Sequence, residues 1–314
     1  MIKISFVIPA LNEEKYIGGS IKTIQENVPS IISYEIIVVD NGSTDKTIEI
    51  ARSYNSKIIV IEGVTISELR NIGAMNAHGD ILIFIDADVI LTKDWGKNIS
   101  DALNEFEKYD NFITGSIYDI EDSDNWIQAH WFKPIVNKKK VNYINAGHLI
   151  IKAKHFNNIG GFDKSIETGE DSELCRRAQQ SGLKIINNPK LRVIHKGYPK
   201  TLLGFYKRER WHGRGDYTNL KFFSASKPAM ISILHLIVLL FLFITFILLR
   251  NINYVFLYFL VVTFICVFFA IRRVGALKPT IFFVGYLYYI YFFARGMSFI
   301  DIIKRKIYTK FSIS

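Results

Sequence analysis

The sequence predicts an α/β domain built on a mostly parallel central sheet, followed by an α-helical membrane region. Three observations predict it. Short β-branched runs alternate with helical patterns over the first ninety residues, polar clusters rich in acids sit where those runs end, and the composition turns apolar after Lys227-Pro228. Residues 2–8, 35–39, 58–61 and 81–85 read as strands, and 13–26, 46–54 and 67–77 as the helices between them. This βαβ rhythm is Rossmann-like, with both sheet faces covered, and ligands of such sheets bind beyond the carboxyl ends of the strands.

The next portion, 111–196, is less regular. Turns at Gly160-Gly161 and Asn187-Asn188-Pro189 surround one clear helix, 171–181, with Gly182 placed to end it. We expect one domain over 1–227, in halves 1–110 and 111–227, and a membrane region over 228–314.

Of the 314 residues, the stretch to 227 carries 30 Lys+Arg against 28 Asp+Glu, whereas the remainder carries nine basic residues against the single acid Asp301. The net charge of +10 therefore belongs to the tail, which argues against a nucleic-acid partner for the first domain. Two cysteines, Cys175 and Cys266, give no disulfide framework and fit a reducing compartment. The opening Ile2–Ile8 run has no secretory pattern before it, so the first domain is expected in the cytosol.

Residues 229–249 and 253–271 are runs of 21 and 19 without a formal charge, each long enough to cross a hydrocarbon layer of about 30 Å. These lengths weigh against buried helices of a soluble protein. Arg272, Arg273 and Lys278 put the second connection on the cytosolic side by the positive-inside rule. A third stretch, 279–300, is interrupted by Arg295-Gly296, and crossing fully would carry Lys304, Arg305, Lys306 and Lys310 to the wrong side. Phe299, Ile303, Ile307 and Phe311 recur at four-residue spacing, the pattern of a basic interfacial helix over about 299–311. Two topologies remain open: three spans, or two spans with a re-entrant or interfacial third segment.

The first strand runs into Pro9-Ala10-Leu11-Asn12-Glu13-Glu14, the second into Asp40-Asn41-Gly42-Ser43-Thr44-Asp45, and the fourth into Asp86-Ala87-Asp88. Asp45 reads as a cap of the following helix. Asp86 and Asp88 place two like charges together after an apolar strand, a repulsion that a hard divalent cation bound through oxygen relieves, with Mg²⁺ or Mn²⁺ on diphosphate the common form.

These runs, with Arg70-Asn71-Ile72-Gly73, Ala77-His78-Gly79-Asp80, Asn145-Ala146-Gly147, Gly160-Gly161-Phe162-Asp163 and Glu170-Asp171, resemble the family 2 glycosyltransferases of the GT-A fold over about residues 2–215. The resemblance implies a nucleotide-binding half (1–110) and an acceptor half (111–227). It implies that Pro9, Asn12 and Glu13 shape the nucleotide pocket, that Asp40 contacts the base or ribose, and that Arg70 meets the nucleotide, the alternative for Arg70 being a surface ion pair with Glu68 or Glu62. Asp86 and Asp88 would hold the metal, Asp86 also facing the donor, and His195 stands where a further metal ligand or an ordinary structural histidine is equally expected. An acid at a helix start is by default a cap; the resemblance instead makes Asp171 the general base, with Glu170 and Gly147 beside the donor or acceptor. Lys207-Arg208-Glu209-Arg210-Trp211 is similar to the Gln-x-x-Arg-Trp signature of processive members, but Lys207 replaces the glutamine. Arg210 and Trp211 would close over donor or acceptor, or anchor a helix at the membrane interface. Trp126, His130 and Trp131 receive no role.

The expected activity is metal-dependent sugar transfer, with inversion, from a nucleoside-diphosphate sugar, a UDP-sugar foremost, to a lipid-linked or surface-glycan acceptor in cell-envelope polysaccharide biosynthesis. The expected setting is a multi-pass membrane protein with a cytosolic catalytic domain. The rivals are a polyprenyl-phosphate glycosyltransferase, a processive synthase, and a catalytically inactive nucleotide-sugar-binding scaffold.

Overall fold

The structure is a computed structural model that describes residues 3–109, 111–121, 125–133, 141–217, 223–224, 226–250, 252–275 and 278–311, with side chains as far as Arg305. Of the residues named above, Ile2 and the side chains of Lys306, Ile307, Lys310 and Phe311 lie outside the described residues. Two compact units form, one from Met1–Ser123 with Ile135–Tyr198, the other from Asp124–Pro134 with Pro199–Ser314.

The first unit runs β1 (Lys3–Ala10), α1 (Ile17–Asn27), β2 (Ser33–Asp40), α2 (Thr47–Ser53), β3 (Lys57–Val60), α3 (Ile66–Met75), β4 (Ile81–Ile85), β5 (Val89–Leu91), α4 (Lys93–Lys108), β6 (Phe112–Gly115), β7 (His148–Lys152), α5 (Ala153–Asn158), α6 (Glu170–Gln180), β8 (Lys184–Asn187) and β9 (Val193–His195). Seven strands make one sheet in the order β3-β2-β1-β4-β7-β6-β8. The half β3-β2-β1-β4 is parallel, β7 is antiparallel to both its neighbours, and β8 returns parallel to β6. The sheet is thus mostly parallel, as the sequence predicts.

Its strands are apolar on both faces because both faces are covered. Ile81, Ile83 and Ile85 of β4 join Phe6, Ile21 and Trp95 in one core, while Leu82 and Phe84 join Phe156, Phe162 and Leu174 in the other. The period of two within one strand divides its side chains between the layers. Helix α1 starts at Ile17, four residues later than expected. Asn12 takes φ +55°, and the N–H groups of Glu13 and Glu14 donate to Thr47 and Asp45 rather than starting a helix.

The second unit contains a short π-helix (Gln128–Phe132), α7 (Leu202–His212), a 3₁₀ turn (Gly213–Tyr217), α8 (Lys227–Leu249), α9 (Asn253–Val274) and α10 (Thr280–Phe311). Helices α8 and α9 are long and apolar enough to cross a membrane, with mean hydropathies of 3.0 and 2.7. Composition marks a boundary at 227, but contacts mark it at 199. Helix α7 buries Phe205 against Trp131, and Glu209 pairs with Arg295 of α10.

Helix α10 continues through Arg295-Gly296 without a break. Arg295 pairs with Asp216 at 2.8 Å and Glu209 at 3.4 Å, and Gly296 lies against Leu236 and the Ser232 carbonyl, leaving no room for a Cβ. The charge that interrupts the apolar run is therefore neutralised within this unit. Asp301, the lone acid of the tail, receives both the Nε and a terminal nitrogen of Arg210.

Candidate functional site

The site begins where β1 stops pairing with β4. Their ladder ends at Val7↔Phe84, whereas β1 follows β2 as far as Ala10↔Asp40. Pro9 is buried in that extension and has no N–H to give a further neighbour. Beyond this point lie the polar segments after β1, β2 and β4.

The first two segments are laced together. Asn12 donates its N–H to Ser43 Oγ at 2.8 Å, and its side-chain oxygen accepts from the Thr44 N–H at 2.9 Å. Asp40 is fully buried and accepts from the N–H groups of Gly42 (3.0 Å) and Ser43 (2.7 Å) and from Ser43 Oγ (2.6 Å). Both its oxygens serve its own turn, so contact with a base or ribose would require those bonds to be exchanged. Asp45 accepts from the Thr47 N–H and hydroxyl two residues on, but the N-cap of α2 is Lys46 without a side-chain cap, so Asp45 ties the turn ahead of the helix rather than capping it. Burial, then the nearby Asp86 and Asp45, push the Glu13 carboxyl up to about 7.

Asp86, Asp88 and His195 come together, one ligand atom from each lying within 4.8 Å of the others. Antiparallel pairing of β5 with β9 does this, since Val89↔His195 sets the imidazole beside the residue that precedes β5. His195 Nε2 stands 3.5 Å from Asp88 Oδ2, and its ring stacks on Tyr198 at 4.2 Å. Two carboxylates and an imidazole suit Mn²⁺ or Mg²⁺ among divalent ions. The backbone makes room for them. A Cβ on Gly147 would fall 2.1 Å from Asp86 Oδ2, and one on Gly197 would fall 1.8 Å from Asp88 Oδ2.

Arg70 is 2 % exposed and joins two parts of the site. One terminal nitrogen donates to Asp86 Oδ1 and the other to Glu170 Oε1, both at 2.7 Å. The guanidinium also lies 5.6 Å from the Phe162 ring centroid. This corrects the surface-pair alternative for Arg70, Glu68 having Lys164 as its partner at 3.6 Å; both terminal nitrogens of Arg70 are engaged within the site. Removing one partner of so buried a pair costs about 3–5 kcal/mol.

Glu170 and Asp171 open α6, whose N-cap is Gly169 and which has no side-chain cap. Asp171 Oδ1 accepts from the Ser172 N–H at 2.7 Å, and Asn145 Nδ2 approaches Oδ2 at 3.4 Å. Burial and the adjacent Glu170 raise the Asp171 carboxyl to about 7. The segment before α6 is clasped by α3 and its cap. Thr65 and Ser67 hydroxyls donate to the Lys164 and Ile166 carbonyls, and the Asn71 amide both donates to and accepts from Phe162. Helix α3 thus carries Arg70 and fixes the approach to Asp171.

Arg210 and Trp211 belong to the second unit. Arg210 is held by Asp301 and reaches Tyr206, so its contacts are those of a helix-to-helix brace rather than of a closing group, and Trp211 is 38 % exposed and edge-on to His212. Sequence reasoning missed Tyr118, whose hydroxyl donates to Asp86 Oδ2 at 3.3 Å, because it sits in the irregular stretch without periodicity. It also missed Gly197 and Tyr198, which follow Lys196 after His195 and were legible only as neighbours of that histidine. Gly197→Ala is expected to displace the Asp88 carboxylate and weaken Mn²⁺ binding to the ligand-free protein at least tenfold with the fold retained; a Mn²⁺ titration followed by electron paramagnetic resonance, beside circular dichroism, measures both.

Solved structures share this fold. The mannosyltransferase PcManGT of Pyrobaculum calidifontis, solved with GDP-Man and Mn²⁺, aligns with TM-score 0.53 and 18% identity over 68% of this chain and 61% of its own. TarS of Staphylococcus aureus aligns with TM-score 0.50 and 19% identity over 68% and 39%. In sequence, the S. aureus poly(ribitol-phosphate) beta-N-acetylglucosaminyltransferase TarS is 28% identical over 115 residues, 33% of this chain and 19% of the relative. The succinoglycan biosynthesis protein ExoA of Rhizobium meliloti is 25% identical over 240 residues, 68% of each. The chain thus spans about a fifth of the length of TarS and two thirds of that of ExoA. The model for Glycosyl transferase family group 2 matches residues 141–294, and that for Glycosyl transferase family 2 matches residues 5–162, half of the chain. This chain belongs to glycosyl transferase family 2.

Proposed function

We propose that this protein transfers a sugar, with inversion, from a nucleoside-diphosphate sugar to a hydroxyl of a membrane-held glycan or lipid-linked acceptor. The observation that carries the reading is the cluster Asp86, Asp88 and His195, joined through Arg70 to the pair Glu170-Asp171. Family membership supports sugar transfer. The GDP-Man and Mn²⁺ of the P. calidifontis enzyme support a nucleotide-sugar donor and a divalent cation, and the polysaccharide relatives support a glycan acceptor.

Asp86, Asp88 and His195 would hold Mn²⁺ or Mg²⁺, which supplies positive charge against the diphosphate of the donor. Arg70 holds Asp86 in place through its Oδ1, and Tyr118 supports its second oxygen. Pro9, Asn12 and Glu13 wall the nucleotide pocket, while Asp40 shapes it by holding the turn after β2. A UDP-sugar is the first donor to try.

Asp171 is the general base. Its Oδ1 is held by the Ser172 N–H, which leaves Oδ2, near Asn145, to receive the proton of the acceptor hydroxyl. The acceptor oxygen then bonds to the anomeric carbon as the bond to the diphosphate oxygen breaks, the electron pair leaving with the diphosphate. One displacement of this kind inverts the anomeric centre. Glu170, paired with Arg70, is spent on positioning.

Helices α8 and α9 would anchor the protein as two spans, with α10 interfacial and the catalytic domain cytosolic. An acceptor held at the same bilayer would then share a surface with the enzyme, which favours a lipid-linked or growing envelope glycan.

Asp171→Asn is expected to lower turnover at least a thousandfold while Mn²⁺-dependent UDP affinity changes less than threefold; calorimetry and product mass spectrometry on a nucleotide-sugar panel measure the two, and surviving turnover removes Asp171 as base. The same assignment fixes a pH dependence. A base raised to about 7 is protonated below that value, so kcat/KM rises tenfold per pH unit below it and levels above it. A profile flat from pH 5 to 8 contradicts the assignment.

A further inference from the structure

The segment holding Trp126, His130 and Trp131 is separated in sequence from the apolar helices by about a hundred residues, yet it belongs to the same compact unit. Trp131 is buried among Phe205, Tyr288 and Tyr291, with ring centroids 5.1, 4.8 and 5.4 Å away. Arg273, at the end of α9, lies 4.1 Å over the Trp131 ring and donates to the Trp131 carbonyl at 2.6 Å. Further along α10 toward its start, His130 stacks on Phe283 at 5.0 Å and 15°, and Trp126 meets Phe283 and Tyr286 at 5.9 and 6.4 Å. Phe283 is 49 % and Tyr286 52 % exposed.

The geometry points to a surface, formed by residues 125–133 with Phe283 and Tyr286, that rests in the headgroup zone of a lipid bilayer. This inference relies on the reading of α8 and α9 as membrane spans. Depth along α9 argues for it. Arg272 and Arg273 end that helix and seek the polar boundary, while Gly285, between Phe283 and Tyr286, packs on Cys266 and Val267, six residues earlier. At 1.5 Å per residue, that contact stands about 9 Å along the helix from the arginines. The aromatic cluster therefore spans the level between guanidinium and hydrocarbon, where tryptophan and tyrosine rings concentrate. The cluster has the matching polarity: Arg273 and a backbone carbonyl at one end, half-exposed rings at the other. A soluble partner protein would not account for an arginine and a tryptophan stacked at the terminus of an apolar helix of 22 residues.

Nitroxide depth measurement on the full chain tests this, since Cys175 and Cys266 are buried and leave introduced cysteines as the labelling sites. Trp126→Cys and Tyr286→Cys report the surface, Leu240→Cys on α8 reports the hydrocarbon, and exposed Met75→Cys on α3 reports water. In vesicles of phosphatidylcholine with phosphatidylglycerol, labels at 126 and 286 are expected to show oxygen and nickel-chelate accessibilities between those at 240 and 75. Labels at 126 and 286 that match 75 while 240 lies deep overturn the inference and leave the spans standing; labels as deep as 240 overturn the interfacial placement. A label at 240 as aqueous as that at 75 overturns the membrane reading and this inference with it. If Trp126→Cys does not fold, the exposed Tyr286 position decides alone.

Discussion

The arrangement depends on one buried cation. Arg70 lies almost wholly out of water, and its two terminal nitrogens are each 2.7 Å from a carboxylate, one in the acidic triplet after β4 and the other at the start of α6. Such a charge is tolerable in the interior only because both partners are present and well aligned. The consequence is geometric. Asp86 and Glu170 come from segments 84 residues apart, and the guanidinium fixes how far apart their helices and strands can stand. The hydrogen bonds from Thr65, Ser67 and Asn71 to residues 162–166 repeat the same tie along α3.

Around that tie the site is assembled by turns and glycines more than by regular elements. The segments after β1 and β2 exchange backbone and side-chain hydrogen bonds, so neither is ordered alone. Gly147 and Gly197 back the two aspartates at distances no Cβ could share, and a two-stranded pairing brings His195 across to them. Burial then raises Glu13 and Asp171 to about 7, as befits carboxyls placed near one another before any cation joins them. Perturbed acids beside a cluster of oxygen ligands are what a site for charged substrates requires.

Much of this was legible in the sequence. Strands β1, β2 and β4 announce themselves because they are apolar on both faces and end in polar runs, and Asp86-Ala87-Asp88 stands out because like charges after such a strand ask for an explanation. Asp45 read as the cap of α2, but it sits one residue before the N-cap and ties the preceding turn. The partners of Arg70 were not legible, since Glu170 is a hundred residues away and nothing local links them. Asp40 read as a ligand, though burial gives its oxygens to its own turn. Composition does not show which charged or mixed segments pack on the apolar helices: α7 and residues 125–133 join them through pairs such as Arg210 with Asp301 and Arg273 with Trp131 that only contact reveals.

Under the proposed assignment Asp171 takes the acceptor proton while Glu170 is held by Arg70, which implies a single displacement rather than a covalent sugar intermediate on Glu170. The anomeric configuration of the product, read by proton NMR during turnover of an α-linked nucleotide sugar before any equilibration, tests this most directly. A β-linked product is predicted, and an α-linked product would contradict the account.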